Sequence, residues 1–333
     1  MRPPGFWLNP PERPGVFARL LSPLGKLYAG VTARRVRQDG ARVGCPVICV
    51  GNINAGGTGK TPTVIALAQY LQSKGLNPIA VSRGYGGSVE GPVEVDPRVH
   101  TAQKVGDEPL LLAAFLPAWI AKDRLAGCQA AVEAGADVIL LDDGFQNPLV
   151  FKDLSIVVVD AHRGFGNGLC IPAGPLREPV QEGLKRASAV LSIGSKESQE
   201  IFENQWGSVI TVPHAKGALE PLQTGMDWQG QRVMAFAGIG HPEKFFATLR
   251  DLGADLVEMR ALDDHQELTS ALFNRLESQA KTLNAQLVTT EKDAVRLRPE
   301  DRYKVLALPV RLEIKEWDGL DTLIQDLIPP KIG

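Results

Sequence analysis

Hydrophobic positions along the chain fall into two patterns. The first is a series of short apolar runs bounded by polar or turn residues: 47–50, 77–82, 136–141, 154–160 and 189–193, then 232–237, 255–260, 286–290 and 305–309. Short runs rich in Val, Ile and Leu read as strands buried on both faces. A shorter strand is expected within 92–96. Helical patterns lie between them: 60–68, 110–115, the stretch after Lys122-Asp123-Arg124, 243–252, and a last one near 320–328. Strands alternating with helices predict an α/β fold with a parallel sheet covered on both sides. Ligands then bind at the C-terminal ends of the strands.

The second pattern lies near the N-terminus. After a proline-rich stretch over 1–14, Phe17, Leu20, Leu21, Leu24, Leu27, Tyr28 and Val31 recur at steps of three and four. They form one stripe of an amphipathic helix over 16–36. Pro23 falls inside it and is expected to kink or split the helix. Arg19 and Lys26 lie off the stripe, and Arg34, Arg35 and Arg37 follow. Such a helix either packs its stripe on the protein body or lies on an anionic membrane surface.

At 333 residues, with 44% hydrophobic positions, the chain is long enough for two domains. The pattern breaks up over 205–230, around Trp206, Pro213, Pro221 and Trp228, which marks a linker. The expected division is an N-terminal segment over 1–40, a nucleotide-binding α/β domain over 41–215 and a smaller α/β lobe over 216–333. Charge sharpens the first boundary. Residues 1–43 carry eight Lys/Arg against Glu12 and Asp39, a local +6 in a chain of net −2. This asymmetry points the N-terminal segment toward something anionic. Cys45, Cys49, Cys128 and Cys170 form no C-x-x-C pair and read as reduced thiols. No uncharged apolar run approaches ~18 residues, and no secretory signal is evident, so a cytoplasmic chain is expected.

The most informative stretch follows the first strand. Val47–Val50 leads into a glycine-rich turn and then Lys60-Thr61, where a helix begins. Strand, glycine loop, Lys-Thr and helix are the parts of a phosphate-binding loop, here Gly56, Gly57, Thr58, Gly59, Lys60, Thr61 and Pro62. Glycines let backbone N–H groups close on phosphate oxygens, and the helix N-terminus adds unpaired donors. Lys60 is the expected partner of the β- and γ-phosphates and Thr61 of a magnesium ion. Asn54 stands where the usual pattern has its first glycine, and tolerance of left-handed backbone would let it serve.

Three further stretches end strands or open helices with charged residues. Arg83 in Ser82-Arg83-Gly84-Tyr85-Gly86-Gly87 suits a phosphate or polar substrate, or is a surface arginine. Asp107 in Gly106-Asp107-Glu108-Pro109 is a helix-capping carboxylate or a catalytic one. Asp142-Asp143 after four apolar residues is how phosphate-loop enzymes hold magnesium, although a carboxylate there also caps helices.

Taken together, NINAGGTGKTP (52–62), SRGYGG (82–87), GDEP (106–109), LDDGFQN (141–147), PAGPLREP (172–179), FAGIGHPEKFF (236–246) and TTEKDAVRL (289–297) resemble the tetraacyldisaccharide 4′-kinases of lipid A biosynthesis. The resemblance runs from about residue 5 to 330. It implies a P-loop NTPase-like core and ATP-dependent phosphorylation of the 4′-hydroxyl of a tetraacyl glucosamine disaccharide 1-phosphate, a membrane glycolipid. It implies ATP and Mg2+, a Gram-negative source, and peripheral attachment to the anionic inner leaflet at the cytoplasmic face of the inner membrane. Neither a nucleic acid nor an obligate protein partner is implied. By the same resemblance Lys60, Asp107 and His265 are catalytic, with Asp107 the base and His265 its partner. Thr61, Asp142, Asp143 and Glu178 lie at the metal. Asn52, Arg83, Arg124, Gln146 and Arg177 line the headgroup pocket. Asn147, where relatives often have His, and Gln266-Glu267-Leu268 after His265 depart from the family pattern.

Two other classes compete. A nucleotide-gated switch or partition-type ATPase shares such loops, but often carries a lysine where this chain has Ala55. A non-enzymatic membrane scaffold predicts that Lys60 is dispensable.

Overall fold

The computed structural model describes residues 4–328. Among these described residues thirteen strands form two sheets. The larger holds β1 (Val47–Gly51), β2 (Pro78–Ser82), β3 (Val93–Glu94), β4 (Ala118–Ile120), β5 (Val138–Asp142), β6 (Leu154–Asp160), β7 (Ala189–Ile193) and β8 (His214–Pro221). The smaller holds β9 (Arg232–Ala237), β10 (Asp255–Ala261), β11 (Gln286–Thr290) and β12 (Leu306–Leu308), all parallel. The last strand, β13 (Val310–Ile314), returns to the larger sheet, whose order is β13-β8-β7-β6-β1-β5-β2-β4-β3. Only its two ends, β13–β8 and β3–β4, pair antiparallel.

Both faces of the larger sheet are covered, and alternate residues of one strand serve different cores. Ile48 and Val50 belong to one apolar cluster, with Leu67 and Leu71 of the helix α2 (Lys60–Ser73). Val47 and Cys49 belong to the other, with Phe145 and Phe165. This double burial is why the central strands read as unbroken apolar runs. The smaller sheet repeats the plan, with Val233, Ala235 and Ala237 facing one cluster and Met234 and Phe236 the other.

Four expectations need adjustment. The region 205–230 contains β8, an eight-residue strand whose first four residues alternate in burial, and Trp206 packs edge-on against Phe165 at 5.1 Å. Sheet membership therefore differs from the expected division at residue 216. Strand β8 and the C-terminal β13 lie in the larger sheet, because they complete its edge as an antiparallel pair. The helix expected at 110–115 runs Asp107–Leu112, since Pro109 sits in its first turn, where no N–H bond is lost. Asn54 is not left-handed: its side chain instead donates to the Gly164 carbonyl at 3.0 Å.

The fourth concerns the N-terminal helix, α1 (Val16–Val36), which is one element with Pro23 inside. Arg19 and Pro23, where the backbone bond is lost, are both exposed, so water can satisfy the freed carbonyl. The stripe faces outward. Phe17, Leu20 and Leu27 are about two-thirds exposed (68–69%), and Val31 is 61% exposed. The helix touches the body through Ala18, Gly25 and Thr32, all buried. A Cβ on Gly25 would lie 2.7 Å from the Cys170 carbonyl oxygen, so only glycine permits this approach.

Candidate active site

Strand β1 lies between β5 and β6, where the chain's progression across the sheet reverses. Such a point opens a crevice at the strand tips, and the loop Asn52–Gly59 occupies it. Gly59 is left-handed (φ 98°) and precedes Lys60, the first residue of α2. An L-side chain at Gly59 would be strained and would meet Ile193 at 2.5 Å. Asn52 is buried, and its Nδ2 donates to the Gly56 carbonyl and to Thr58 Oγ, both at 3.1 Å. Its contacts therefore brace the loop from within. Gly57 borders a cavity with Thr58 and Arg163, while Thr61 and Pro62 complete the first turn of α2.

The register of β1 on β5 sets Val50 beside Asp142. Asp142 is buried and neither of its carboxylate oxygens has a hydrogen-bond partner. Burial and the negative charge of Glu108 push its carboxyl up to about 7, against the opposing pull of Lys60. Asp143 differs. Burial alone would raise it, but Lys60 and Arg177 outweigh burial and hold it below the ordinary value. Lys60 Nζ lies 3.7 Å from Asp143 Oδ1, and Arg177 donates to the same oxygen at 2.9 Å. Asp143 adopts left-handed backbone (φ 51°), which turns it out of the strand direction.

Arg177 also donates to Gln146 Oε1 at 3.1 Å, and Gln146 Nε2 donates to the Asn52 carbonyl and to Glu178 Oε1. Glu178 is buried and pairs with Arg186 at 2.5 Å. Its contacts tie it to Gln146 and Arg186, and no contact brings it to Asp142. Arg124 is buried, donates to the Ala121 carbonyl, and feels the charges of Asp142 and Asp143. Burial nevertheless lowers its pKa. Arg83 is exposed at the end of β2. Among the described residues no three His, Cys, Asp or Glu side chains form a metal-binding group by themselves.

The second cluster joins the two sheets. Asp107, at the start of its short helix, is buried. His265, in the loop after β10, has left-handed backbone (φ 58°) and places Nδ1 3.0 Å from Asp107 Oδ2. The Tyr85 ring lies edge-on to His265 at 6.1 Å. Two residues not singled out from sequence complete the cluster. Arg296 Nε donates to Asp107 Oδ2 at 2.8 Å. Lys292 Nζ donates to Glu108 at 3.1 Å and lies 3.4 Å from His265 Nε2. Burial works to raise the Asp107 carboxyl, but the His265 hydrogen bond and the charges of Lys292 and Arg296 hold it well below the carboxylate range. Lys292 and Arg296 stand four residues apart after β11, a spacing that puts two cations on one face of a helical turn. That was the available signal.

The unpaired Asp142 carboxylate yields a stability prediction. Unfolded, it ionises near 3.8; folded, it keeps its proton up to about 7. Its contribution is therefore present below pH ~4 and lost as pH rises through 7. In chelator, the protein should lose roughly 2 kcal/mol between about pH 5.5 and about pH 8.5, relative to Asp142→Asn. Denaturant melts of both proteins measure this. Parallel stability curves would mean that Asp142 is ionised throughout.

The profile of the family described as tetraacyldisaccharide-1-P 4′-kinase matches residues 17–329. A tetraacyldisaccharide 4′-kinase of Dinoroseobacter shibae is 62% identical over 99% of this chain and 98% of its own length. One from Jannaschia sp. is 61% identical over 98% of this chain and 99% of its own. The crystal structure of LpxK from Aquifex aeolicus in complex with ATP superposes with a TM-score of 0.77 at 26% identity, covering 94% of this chain and 99% of that one. With relatives this similar across nearly the whole length, the chain belongs to the tetraacyldisaccharide 4′-kinase family.

Proposed function

We propose that the protein transfers the γ-phosphate of ATP to the 4′-hydroxyl of a tetraacyl glucosamine disaccharide 1-phosphate, giving lipid IVA. The observation that carries this reading is the Asp107–His265 pair at 3.0 Å, formed between the two sheets. The neighbouring Glu108 is close enough to raise the carboxyl of Asp142 beside the phosphate loop. Phosphoryl transfer asks mainly for positioning and charge neutralisation. Backbone N–H groups of 56–61 cradle the phosphates, and Lys60 offsets their charge. The Asp107–His265 pair takes the hydroxyl's proton as the acceptor attacks. Arg83, Arg124, Gln146, Arg177 and Asn52 serve the sugar headgroup, Asn52 through the shape of the loop. Purified protein with ATP, magnesium and the disaccharide lipid should yield a product one phosphoryl group heavier by mass spectrometry. A wild-type protein that hydrolyses ATP but never modifies the lipid would point to a nucleotide-gated switch.

Asp142 fits a divalent cation: its two buried oxygens have no protein donor, and a cation bound with nucleotide would satisfy them. Asp143 and Thr61 are its companions, with Glu178 behind them as the brace of Gln146. A magnesium ion bound with nucleotide takes most of its ligands from phosphate and water, so few protein groups suffice. When bound it neutralises charge on the β- and γ-oxygens.

The outward stripe of α1 supports attachment to a lipid surface. No helix among the described residues is long and apolar enough to cross a membrane. Full burial of one large apolar side chain contributes roughly 1.5–3 kcal/mol, less at an interface. Each of Arg34, Arg35 and Arg37 adds about 1 kcal/mol on an anionic leaflet. Wild type should therefore sediment with anionic liposomes, and high salt should weaken the binding only in part. Leu20→Glu with Leu24→Glu should remain in solution. If the folded double variant sediments as wild type does, these side chains are not the contact.

A further inference from the structure

The Asp107–His265 pair is not alone in its pocket. Arg296 is buried, and its guanidinium is held from both sides. On the far side Nη1 donates to the Gly238 carbonyl and to Asp293 Oδ1, both at 3.0 Å. Asp293 is itself fixed: Oδ1 accepts from the Gly238 N–H at 3.0 Å and Oδ2 accepts from Thr290 Oγ at 2.6 Å. These partners all belong to the smaller sheet and the segments after its strands. On the near side Arg296 Nε reaches Asp107 Oδ2 in the larger unit. That oxygen is also the partner of His265 Nδ1, while the other oxygen, Oδ1, accepts the Glu108 N–H at 3.0 Å. His265 is anchored to the same point as Arg296, because its backbone N–H also donates to the Gly238 carbonyl. One carbonyl of the smaller unit thus holds both groups that grip Asp107.

We propose that Arg296 is a positioning residue: it carries a fixed positive charge from the smaller sheet onto Asp107 and so sets the pH range in which the Asp107–His265 pair can accept the acceptor's proton. The proposal rests on that pair being the proton acceptor. Every charged group facing the pair enters the balance. From its own helix comes Glu108. From the loop after β10 comes Asp264, 3.8 Å from His265 Nε2. From the segment after β11 come Lys292 and Arg296. Lys292 pairs with Glu108 at 3.1 Å and its charge also acts on Asp107, a contribution that stays the same in every Arg296 variant. Arg296 shares its charge between Asp107 and the buried Asp293, and it makes the shorter contact with Asp107. A cation favours the ionised carboxylate and the neutral imidazole, so its removal stabilises the protonated, inactive forms of both. The acid limb of kcat/KM reports the pair rather than either residue alone.

The test is the pH profile of kcat/KM for wild type, Arg296→Lys, Arg296→Met and the double variant Asp293→Asn/Arg296→Met. The double variant removes the buried carboxylate that the single one would strand, so it keeps the test open if Arg296→Met does not fold. Loss of the cation should move the acid limb to higher pH by about one unit, with kcat reduced about tenfold or more. Lysine keeps the charge but not the two-sided grip. Its limb should stay near that of wild type while kcat falls. The ATP KM should change little in all three. An acid limb unmoved in the methionine variants, with only kcat lowered, would make Arg296 a structural tie and overturn the proposal. An equal shift in Arg296→Lys would overturn it as well. The premise is checked separately: Asp107→Ala with wild-type turnover would remove the pair from the reaction, whatever the Arg296 variants do.

Discussion

Lys60→Ala should lower turnover by roughly three orders of magnitude or more while the protein stays folded, the scale on which preorganised charge acts on a transferring phosphoryl group. The side chain lies at the first residue of α2, with Nζ 3.7 Å from Asp143 Oδ1. A cation at a helix N-terminus opposes the helix dipole, so its loss costs the fold little. The role expected of it is instead electrostatic. Without it, Asp142 and Asp143 face each other's charge with one fewer counter-ion, and the phosphates lose their one lysine from the loop. Steady-state kinetics beside circular dichroism separate the two effects. Turnover within about tenfold of wild type in a folded variant would remove the phosphate-loop assignment.

Asp107→Ala and His265→Ala should each cost about two to four orders of magnitude in kcat, and the double variant little more than the worse single. The two side chains share one hydrogen bond at 3.0 Å, and His265 is held in left-handed backbone to make it. Once either is gone, the other has lost the partner that gives it a function. Coupled groups of this kind are strongly non-additive. Losses that add in the barrier would assign the two residues independent tasks.

What could be read from the residues depended on how locally each feature was encoded. The phosphate loop was legible because its parts are contiguous, and β1 because burial on both faces leaves an unbroken apolar run. Strand β8 was not, since His214-Ala215-Lys216-Gly217 alternates and its antiparallel partner lies near the far end of the chain. The stripe of α1 was legible as a face, but periodicity cannot say what a face meets. That information resided in Ala18, Gly25 and Thr32, whose small size lets the opposite side lie close to the body. The pairing of Asp107 with His265 was expected only through resemblance, and the two side chains do meet. Their grip by Arg296 depends on a loop carbonyl, Gly238, which no side-chain pattern reveals.

The return of β13 to the larger sheet has a consequence for synthesis. A ribosome delivers β8 well before the strand that covers its outer edge. Until then β8 pairs only with β7, and its free backbone groups form an open template for another chain. The smaller sheet, complete at Leu308, can close while that edge is still bare. Pairing of Pro221 with Val310 then starts a zipper at the end where β8 leaves the sheet and β13 returns to it, and the helix Asp318–Leu327 follows onto the sheet. Nascent chains halted before Val310 should thus be the ones that most need a chaperone, although every residue assigned to the chemistry has already been made.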